Sequence, residues 1–89
     1  MMINVLIAED EPPILNSIAK LIHSLDSDFI VCARAKNGLE VLQCLNSQPI
    51  NIIFTDIKMP LLNGLDLIQE IRNRSLNVPI VILSGYNDF

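Results

Sequence analysis

Three carboxylates stand at the ends of apolar runs in this sequence of 89 residues. Glu9 and Asp10 follow the run 3–8. Asp56 follows the run 50–55. Both runs are short and rich in β-branched residues, which is typical of strands buried on both faces of a sheet. If these strands are parallel neighbours, Asp10 and Asp56 share one small pocket. Carboxylates that close repel one another, so the pattern predicts a divalent cation between them.

The residues of this pocket favour metal and phosphoryl chemistry. No His or Cys is in position to bind a softer metal, so oxygen ligands favour Mg²⁺ over Zn²⁺. A strand-end carboxylate can also act as a nucleophile and form an aspartyl phosphate. We predict that Asp56 is this nucleophile, and that Asp10, with Glu9 directly or through water, holds the cation. Ser84 follows another apolar run, and we expect its hydroxyl to hydrogen-bond a phosphoryl oxygen on Asp56.

Apolar runs typical of strands alternate along the chain with apolar residues at helical spacing, and these patterns predict the elements that would position the pocket. Strands are predicted at 3–8, 29–33, 50–55 and 78–83. A helix is predicted to start at Pro12 and Pro13, a second to follow the Asn37-Gly38 turn, and a third to follow the loop 58–64. We expect the leucine stripes of these helices to be core. The first helix carries apolar residues at helical spacing, namely Ile14, Ile18, Leu21, Ile22 and Leu25.

The order βαβαβαβ predicts the α/β class, with a flavodoxin-like doubly wound parallel sheet and right-handed crossovers. Ligands of such sheets bind beyond the carboxyl ends of the strands, where the strand order reverses. In the order 2-1-3-4-5 that point lies between the first and third strands. Topology and charge placement therefore select the same spot.

Composition excludes several classes of function. The net charge of −4 and the scattered basic residues argue against a nucleic-acid surface on this chain. No apolar run approaches the length of a membrane span, and residues 1–8 lack the basic start of a signal peptide. Cys32 and Cys44 form no CxxC pair, so we expect reduced thiols in a cytoplasmic protein.

Three segments together resemble the receiver domain of bacterial two-component response regulators, a CheY-like family. The resemblance covers the whole chain, in order and at the expected spacing. The segments are Ala8-Glu9-Asp10-Glu11-Pro12, Asp56-Ile57-Lys58-Met59-Pro60-Leu61-Leu62-Asn63-Gly64 and Ser84-Gly85-Tyr86.

The resemblance implies that a sensor histidine kinase donates phosphoryl from its phosphohistidine to Asp56, with Mg²⁺ in the acidic pocket. It makes Glu9 and Asp10 metal-binding acids, the Lys58 backbone carbonyl a metal ligand, and Ser84 the hydroxyl that shifts toward the phosphoryl group. Such a domain assists its own phosphotransfer and dephosphorylation but is not a dedicated enzyme. Residues 79–89 resemble regulators whose receiver precedes an AraC-type DNA-binding domain, which implies that DNA is contacted through that output domain.

The chain departs from the family at its end. The fifth strand, the last helices and the lysine that contacts the phosphoryl group have no counterpart, so we expect residues 1–89 to be the N-terminal portion of a receiver domain. Without that lysine, stabilisation of transition-state charge should weaken. We also expect the open edge of the fourth strand to drive self-association.

Three alternative functions can be compared with the sequence. A haloacid-dehalogenase-type phosphatase would carry a second Asp two residues beyond Asp56, where this sequence has Lys58. A nucleotide-binding domain would carry a Gly-rich loop after the first strand, where this sequence is acidic and proline-containing. The strongest alternative is a receiver-like module that is never phosphorylated and acts through protein contacts.

Overall fold

The computed structural model describes residues 2–83 as a four-stranded sheet with three helices. The strands pair in the order β2-β1-β3-β4, and each pair is parallel. This is the flavodoxin-like doubly wound order, so the predicted fold class is confirmed, and β1 lies beside β3. In chain order the elements are β1 (Ile3–Ala8), α1 (Pro12–Leu25), β2 (Phe29–Ala35), α2 (Gly38–Ser47), β3 (Ile52–Asp56), α3 (Gly64–Asn73) and β4 (Ile80–Leu83).

The central strand β1 is fully buried from Val5 to Ala8 because helices cover both faces of the sheet. Successive side chains of a strand point to opposite faces. Val5 and Ile7 accordingly pack in the core cluster that contains α1. Leu6 and Ala8 pack in the cluster that contains α2 and α3. The continuous apolar run at the start of the chain is therefore the signature of a two-sided strand, as predicted.

The predicted core face of α1 was wrong in part. The helix buries Leu15, Ala19 and Ile22 against the sheet, whereas Leu21 and Leu25 are 60% and 64% exposed. The sequence offers two neighbouring apolar stripes, and only one can face the strands because an α-helix meets a sheet along a single stripe. Leu39 and Leu65, at the starts of α2 and α3, are also exposed rather than core.

No helix within residues 2–83 combines the length and the apolar character that a membrane crossing would require.

Two strands begin later than predicted. β3 begins at Ile52 rather than at residue 50. The Asn51 Oδ1 atom accepts the Asn4 backbone N–H at 2.7 Å, while the Asn51 N–H still donates to the Asn4 carbonyl at 2.9 Å. β4 begins at Ile80 rather than at Val78. Pro79, just before it, has no backbone N–H to donate to the ladder, although its carbonyl accepts the Ile53 N–H at 3.0 Å.

β2 is two residues longer than predicted and contains an irregularity. Val5 pairs with Val31 but Leu6 pairs with Ala33, so Cys32 is an additional residue in the ladder. The Cys32 thiol donates to the Val5 carbonyl at 3.6 Å, which is a weak hydrogen bond at the place where the register shifts. Cys32 and Cys44 are both free and half-buried, and burial raises the pKa of each thiol.

Candidate functional site

The three carboxylates predicted from the sequence converge at one edge of the sheet. Ala8 pairs with Thr55, so the residues that follow them, Glu9 and Asp56, leave adjacent parallel strands at the same level. One carboxylate oxygen from each of Glu9, Asp10 and Asp56 lies within 4.8 Å of the others. This edge is the switch point of the topology, because β1 connects to β2 on one side and pairs with β3 on the other.

Glu9 is the buried member of the cluster, with 4% of its surface exposed. The unpredicted extension of β2 positions it, because the Ala35 carbonyl accepts the Glu9 backbone N–H at 2.9 Å. The pKa of Glu9 is raised to about 7, chiefly by burial and to a smaller extent by the neighbouring Asp10 and Asp56, against a lowering by the hydrogen bond from Glu11. Glu9 therefore holds a proton near neutral pH unless a cation compensates its charge.

Asp10 and Asp56 are the accessible members of the cluster. Asp10 is exposed and Asp56 is half-buried. The Asp56 Oδ1 atom accepts the Ile57 backbone N–H at 2.8 Å, which fixes the carboxylate at the end of β3. This leaves the second oxygen of Asp56 free of hydrogen bonds from the described residues and available to a ligand. Asp10 and Asp56 are thus both accessible to solvent, unlike Glu9.

The loop between β3 and α3 carries Lys58 and is closed at its base. The Gly64 N–H donates to the Ile57 carbonyl at 2.8 Å, so the two ends of the loop 58–63 lie next to each other at the edge of the sheet. A Cβ atom at Gly64 would lie 3.0 Å from the Ile57 Cα and would clash with the Asp56 carbonyl oxygen. Only glycine permits this approach, and α3 consequently starts directly against the backbone of Asp56.

The far end of the same loop is a tight turn. The Leu62 N–H donates to the Pro60 carbonyl at 2.8 Å, and Leu61 between them has a φ of 68°. A positive φ at the centre of a three-residue turn is rare when the central residue carries a side chain, as Leu61 does. The Leu62 carbonyl in turn accepts the N–H of Gly38, the first residue of α2, at 3.1 Å.

The donor set at this edge fits Mg²⁺. Three carboxylate oxygens are hard ligands that lie within 4.8 Å of one another, and a divalent cation would relieve their mutual repulsion. Mg²⁺ keeps several waters and binds through one or two carboxylates plus phosphate oxygens. The exposure of Asp10 leaves room for such additional ligands.

The structure brings together Glu9, Asp10 and Asp56, as the sequence predicted. Lys58 is exposed in the loop two residues beyond Asp56. Ser84 lies outside the described residues. Sequence reasoning missed Gly38, which it interpreted only as part of a turn. No glycine in the described part of the chain has a positive φ, so backbone conformation does not explain why glycine stands at these positions. A glycine at the start of a helix could therefore have indicated that another segment lies close to it.

The fold and the acidic strand ends define a receiver domain. The family model described as the response regulator receiver domain matches residues 5–89, and the chain belongs to this family. It is thus a receiver domain of the kind found in two-component systems.

Relatives extend this assignment. An uncharacterized response regulatory protein of Staphylococcus epidermidis is 35% identical over 88 residues. The transcriptional regulatory protein HptR of Staphylococcus aureus is 36% identical over 88 residues. Each alignment covers 99% of this chain and 34% of the relative, so the chain spans about a third of these proteins. The solved REC domain of AraT, a response regulator from Geobacillus stearothermophilus, is 31% identical with a TM-score of 0.86, covering 100% of this chain and 69% of that chain.

Proposed function

We propose that the domain is a phosphoacceptor that takes a phosphoryl group from the phosphohistidine of a sensor histidine kinase onto Asp56. The observation that carries this proposal is the convergence of three carboxylates within 4.8 Å at adjacent strand ends in a member of the receiver family. Mg²⁺ is the proposed cofactor, and when bound it neutralises charge on the carboxylates and on the phosphoryl oxygens.

Asp56 is the proposed nucleophile because one of its oxygens is held and the other is accessible. The Ile57 N–H holds Oδ1, which orients the second oxygen for attack. Attack of this oxygen on phosphorus forms the O–P bond of an acyl phosphate while the P–N bond to the donor imidazole breaks. The electron pair of the broken bond stays with the imidazole, which leaves as the neutral ring once protonated.

Glu9 and Asp10 are the proposed metal-binding acids, with the Lys58 backbone carbonyl as a further ligand. Glu9 is rigid because it is buried, and Asp10 is exposed and so able to adjust to the cation. We propose that the Ser84 hydroxyl donates a hydrogen bond to the phosphoryl group on Asp56. In this role the domain assists its own phosphotransfer and dephosphorylation without being a dedicated enzyme.

Docking of a kinase requires an accessible surface beside Asp56, and α1 supplies one. Its N-terminus follows directly after Asp10, and Ile14, Leu21 and Leu25 expose between 43% and 64% of their surface. With the half-buried Ile18 they form a stripe spaced by three and four residues, the pattern by which two helices pack. We propose that a helix of the kinase packs against this stripe.

The longer protein to which such a domain would belong is proposed to be a cytoplasmic transcription regulator. Support comes from the HptR relative, which is a transcriptional regulatory protein about three times as long as the aligned segment. In this proposal an output domain of AraC type contacts DNA, and the receiver domain carries the phosphorylation signal.

Intact mass measurement tests the proposed phosphorylation. The 89-residue chain is incubated with Mg²⁺ and a small-molecule phosphodonor, with Asp56→Asn as the matched control. We expect one added phosphoryl group in the wild-type chain and none in the control. A chain that melts cooperatively but gains no adduct would contradict the proposal, and a receiver-like module acting only through protein contacts would then replace it.

A further inference from the structure

We propose that the contact between Gly38 and Leu62 is a positioning contact for the metal site, so that the start of α2 determines how well Mg²⁺ binds beside Asp56. The inference rests on the proposed function, because it concerns the same cation. Gly38 is the first residue of α2, and Leu62 lies in the loop that carries the Lys58 carbonyl.

The loop 58–63 is held at its base and by the buried Met59, and its tip meets α2. Its base is closed by the bond from the Gly64 N–H to the Ile57 carbonyl. Its tip is the tight turn with Leu61 at a φ of 68°. The bond from the Gly38 N–H to the Leu62 carbonyl, at 3.1 Å, joins this tip to another element. It also satisfies one of the N–H groups that the first turn of a helix leaves unpaired.

Gly38 permits this bond only because it lacks a side chain. A Cβ atom at this position would lie 2.7 Å from the Leu62 Cβ and would clash with the Leu62 carbonyl oxygen. The backbone of Gly38 does not require glycine, since its φ is not positive. The residue is therefore explained by the close approach of the loop, and any larger residue would force the loop and the start of α2 apart.

The start of α2 is a rigid base for this contact. The Asn37 side chain accepts the Glu40 N–H at 2.9 Å as the N-cap of the helix. The Glu40 carboxylate reaches back and accepts the Lys36 N–H at 2.8 Å. This reciprocal arrangement is a variant of the capping box. It fixes the direction in which the Gly38 N–H points.

The consequence for the cation follows from the geometry that Mg²⁺ demands. Its oxygen ligands must lie at about 2.0–2.1 Å in a nearly octahedral arrangement. A shift of the loop by a few tenths of an ångström would change the position that the Lys58 carbonyl, as a proposed ligand, would offer to the cation. Groups that orient metal ligands typically change affinity by about 10–100-fold when they are removed. We therefore expect Gly38→Ala to weaken cation binding without touching any ligand.

The experiment measures Mn²⁺ affinity by electron paramagnetic resonance, because Mn²⁺ prefers the same octahedral oxygen ligands as Mg²⁺. The variants are Gly38→Ala, Leu39→Ala as the control at an exposed position of the same helical turn, and Asp10→Asn as the variant that removes a proposed ligand. Cooperative thermal unfolding, followed by circular dichroism, confirms that each is folded. We expect the Mn²⁺ dissociation constant of Gly38→Ala to rise about tenfold, and that of Leu39→Ala to stay near the wild-type value.

A second pair of variants decides the question if Gly38→Ala does not fold. Glu40→Ala and Glu40→Gln both remove one charge, but only Gln keeps an acceptor for the Lys36 N–H. Weaker Mn²⁺ binding by Glu40→Ala than by Glu40→Gln would support the inference.

Three results would overturn the inference, and they are distinguishable. A folded Gly38→Ala chain that binds Mn²⁺ like Leu39→Ala would overturn it and leave the proposed metal site intact. Equal affinities of the two Glu40 variants would do the same if Gly38→Ala does not fold. A wild-type chain that does not bind Mn²⁺, or binds it no better than Asp10→Asn, would overturn the metal site and the inference together.

Discussion

The Glu9 carboxylate accepts the backbone N–H of Glu11, the residue just before α1, at 3.1 Å. A buried acid thus satisfies a donor at a helix start while facing two other carboxylates. Glu11 itself makes no side-chain cap and is exposed. The hydrogen bond lowers the pKa of Glu9, but burial prevails and the pKa rises to about 7. Near neutral pH a proton and a cation therefore compete for Glu9.

The competition predicts that stabilisation by Mg²⁺ increases with pH. Below about pH 7 Glu9 is protonated and binds cations poorly, and above it the carboxylate is free to bind. Because Mg²⁺ binds the folded pocket and not the unfolded chain, its effect appears as a rise in melting temperature. We expect a larger rise at about pH 8 than at about pH 5.5. A rise of the same size at both pH values would contradict the assignment of Glu9 to the site.

Without metal, the same raised pKa predicts the opposite trend in stability. The folded chain holds a proton on Glu9 that the unfolded chain releases between pH 4.5 and about 7. Where the folded state binds more protons, the free energy of unfolding falls as the pH rises. We measure the free energy of unfolding of wild type and of Glu9→Gln in urea. As the pH rises through this window, we expect the wild type to lose stability relative to Glu9→Gln. An unchanged difference would show that Glu9 is not perturbed.

Asp10→Asn is predicted to stabilise the metal-free chain and to reduce its response to Mg²⁺. Removing the Asp10 charge relieves its repulsion with Asp56, which is up to about 1 kcal/mol, the Coulomb energy of two charges about 4 Å apart in water. The same change removes a proposed ligand. Melting curves with and without Mg²⁺ measure both effects. Glu11→Gln is the matched control, because it removes the same charge one residue away and should keep the Mg²⁺ response.

Ser75→Gly is predicted to stabilise the fold by roughly 0.5–1 kcal/mol. Ser75 follows the end of α3 with a φ of 59°. Its N–H donates to the Arg72 carbonyl at 2.9 Å, and the Leu76 N–H donates to the Ile71 carbonyl at 3.2 Å. These are the two bonds of a Schellman motif, whose left-handed position favours glycine. Urea unfolding should show the gain for glycine and a loss or no change for Ser75→Ala.

The 89-residue chain is predicted to self-associate through β4. In residues 2–83 this strand pairs only with β3, and Val81 on it is 38% exposed. An unpaired strand edge is a template for another chain, and a lysine on it disfavours that pairing. We expect concentration-dependent association by sedimentation velocity, reduced in Val81→Lys and retained in Val81→Thr. A monomer at all concentrations would contradict the prediction.

The elements themselves were largely predictable because their signals are local. The β-branched runs before Glu9 and before Asp56 predicted β1 and β3, and the prolines at 12 and 13 predicted the start of α1. Local patterns were insufficient where a side chain from a distant residue intervenes. At the start of β3, the Asn51 side chain accepts the backbone N–H of the distant Asn4.

The sequence alone predicted which acids converge, because topology requires the ends of β1 and β3 to meet. Only the tertiary structure decided which apolar stripe of α1 is core, since that depends on how the helix docks on the sheet. It also decided that Glu9 is buried and that the Leu62 carbonyl accepts the Gly38 N–H. Burial and close approach arise between residues far apart in the chain, and no local pattern of residue types encodes them.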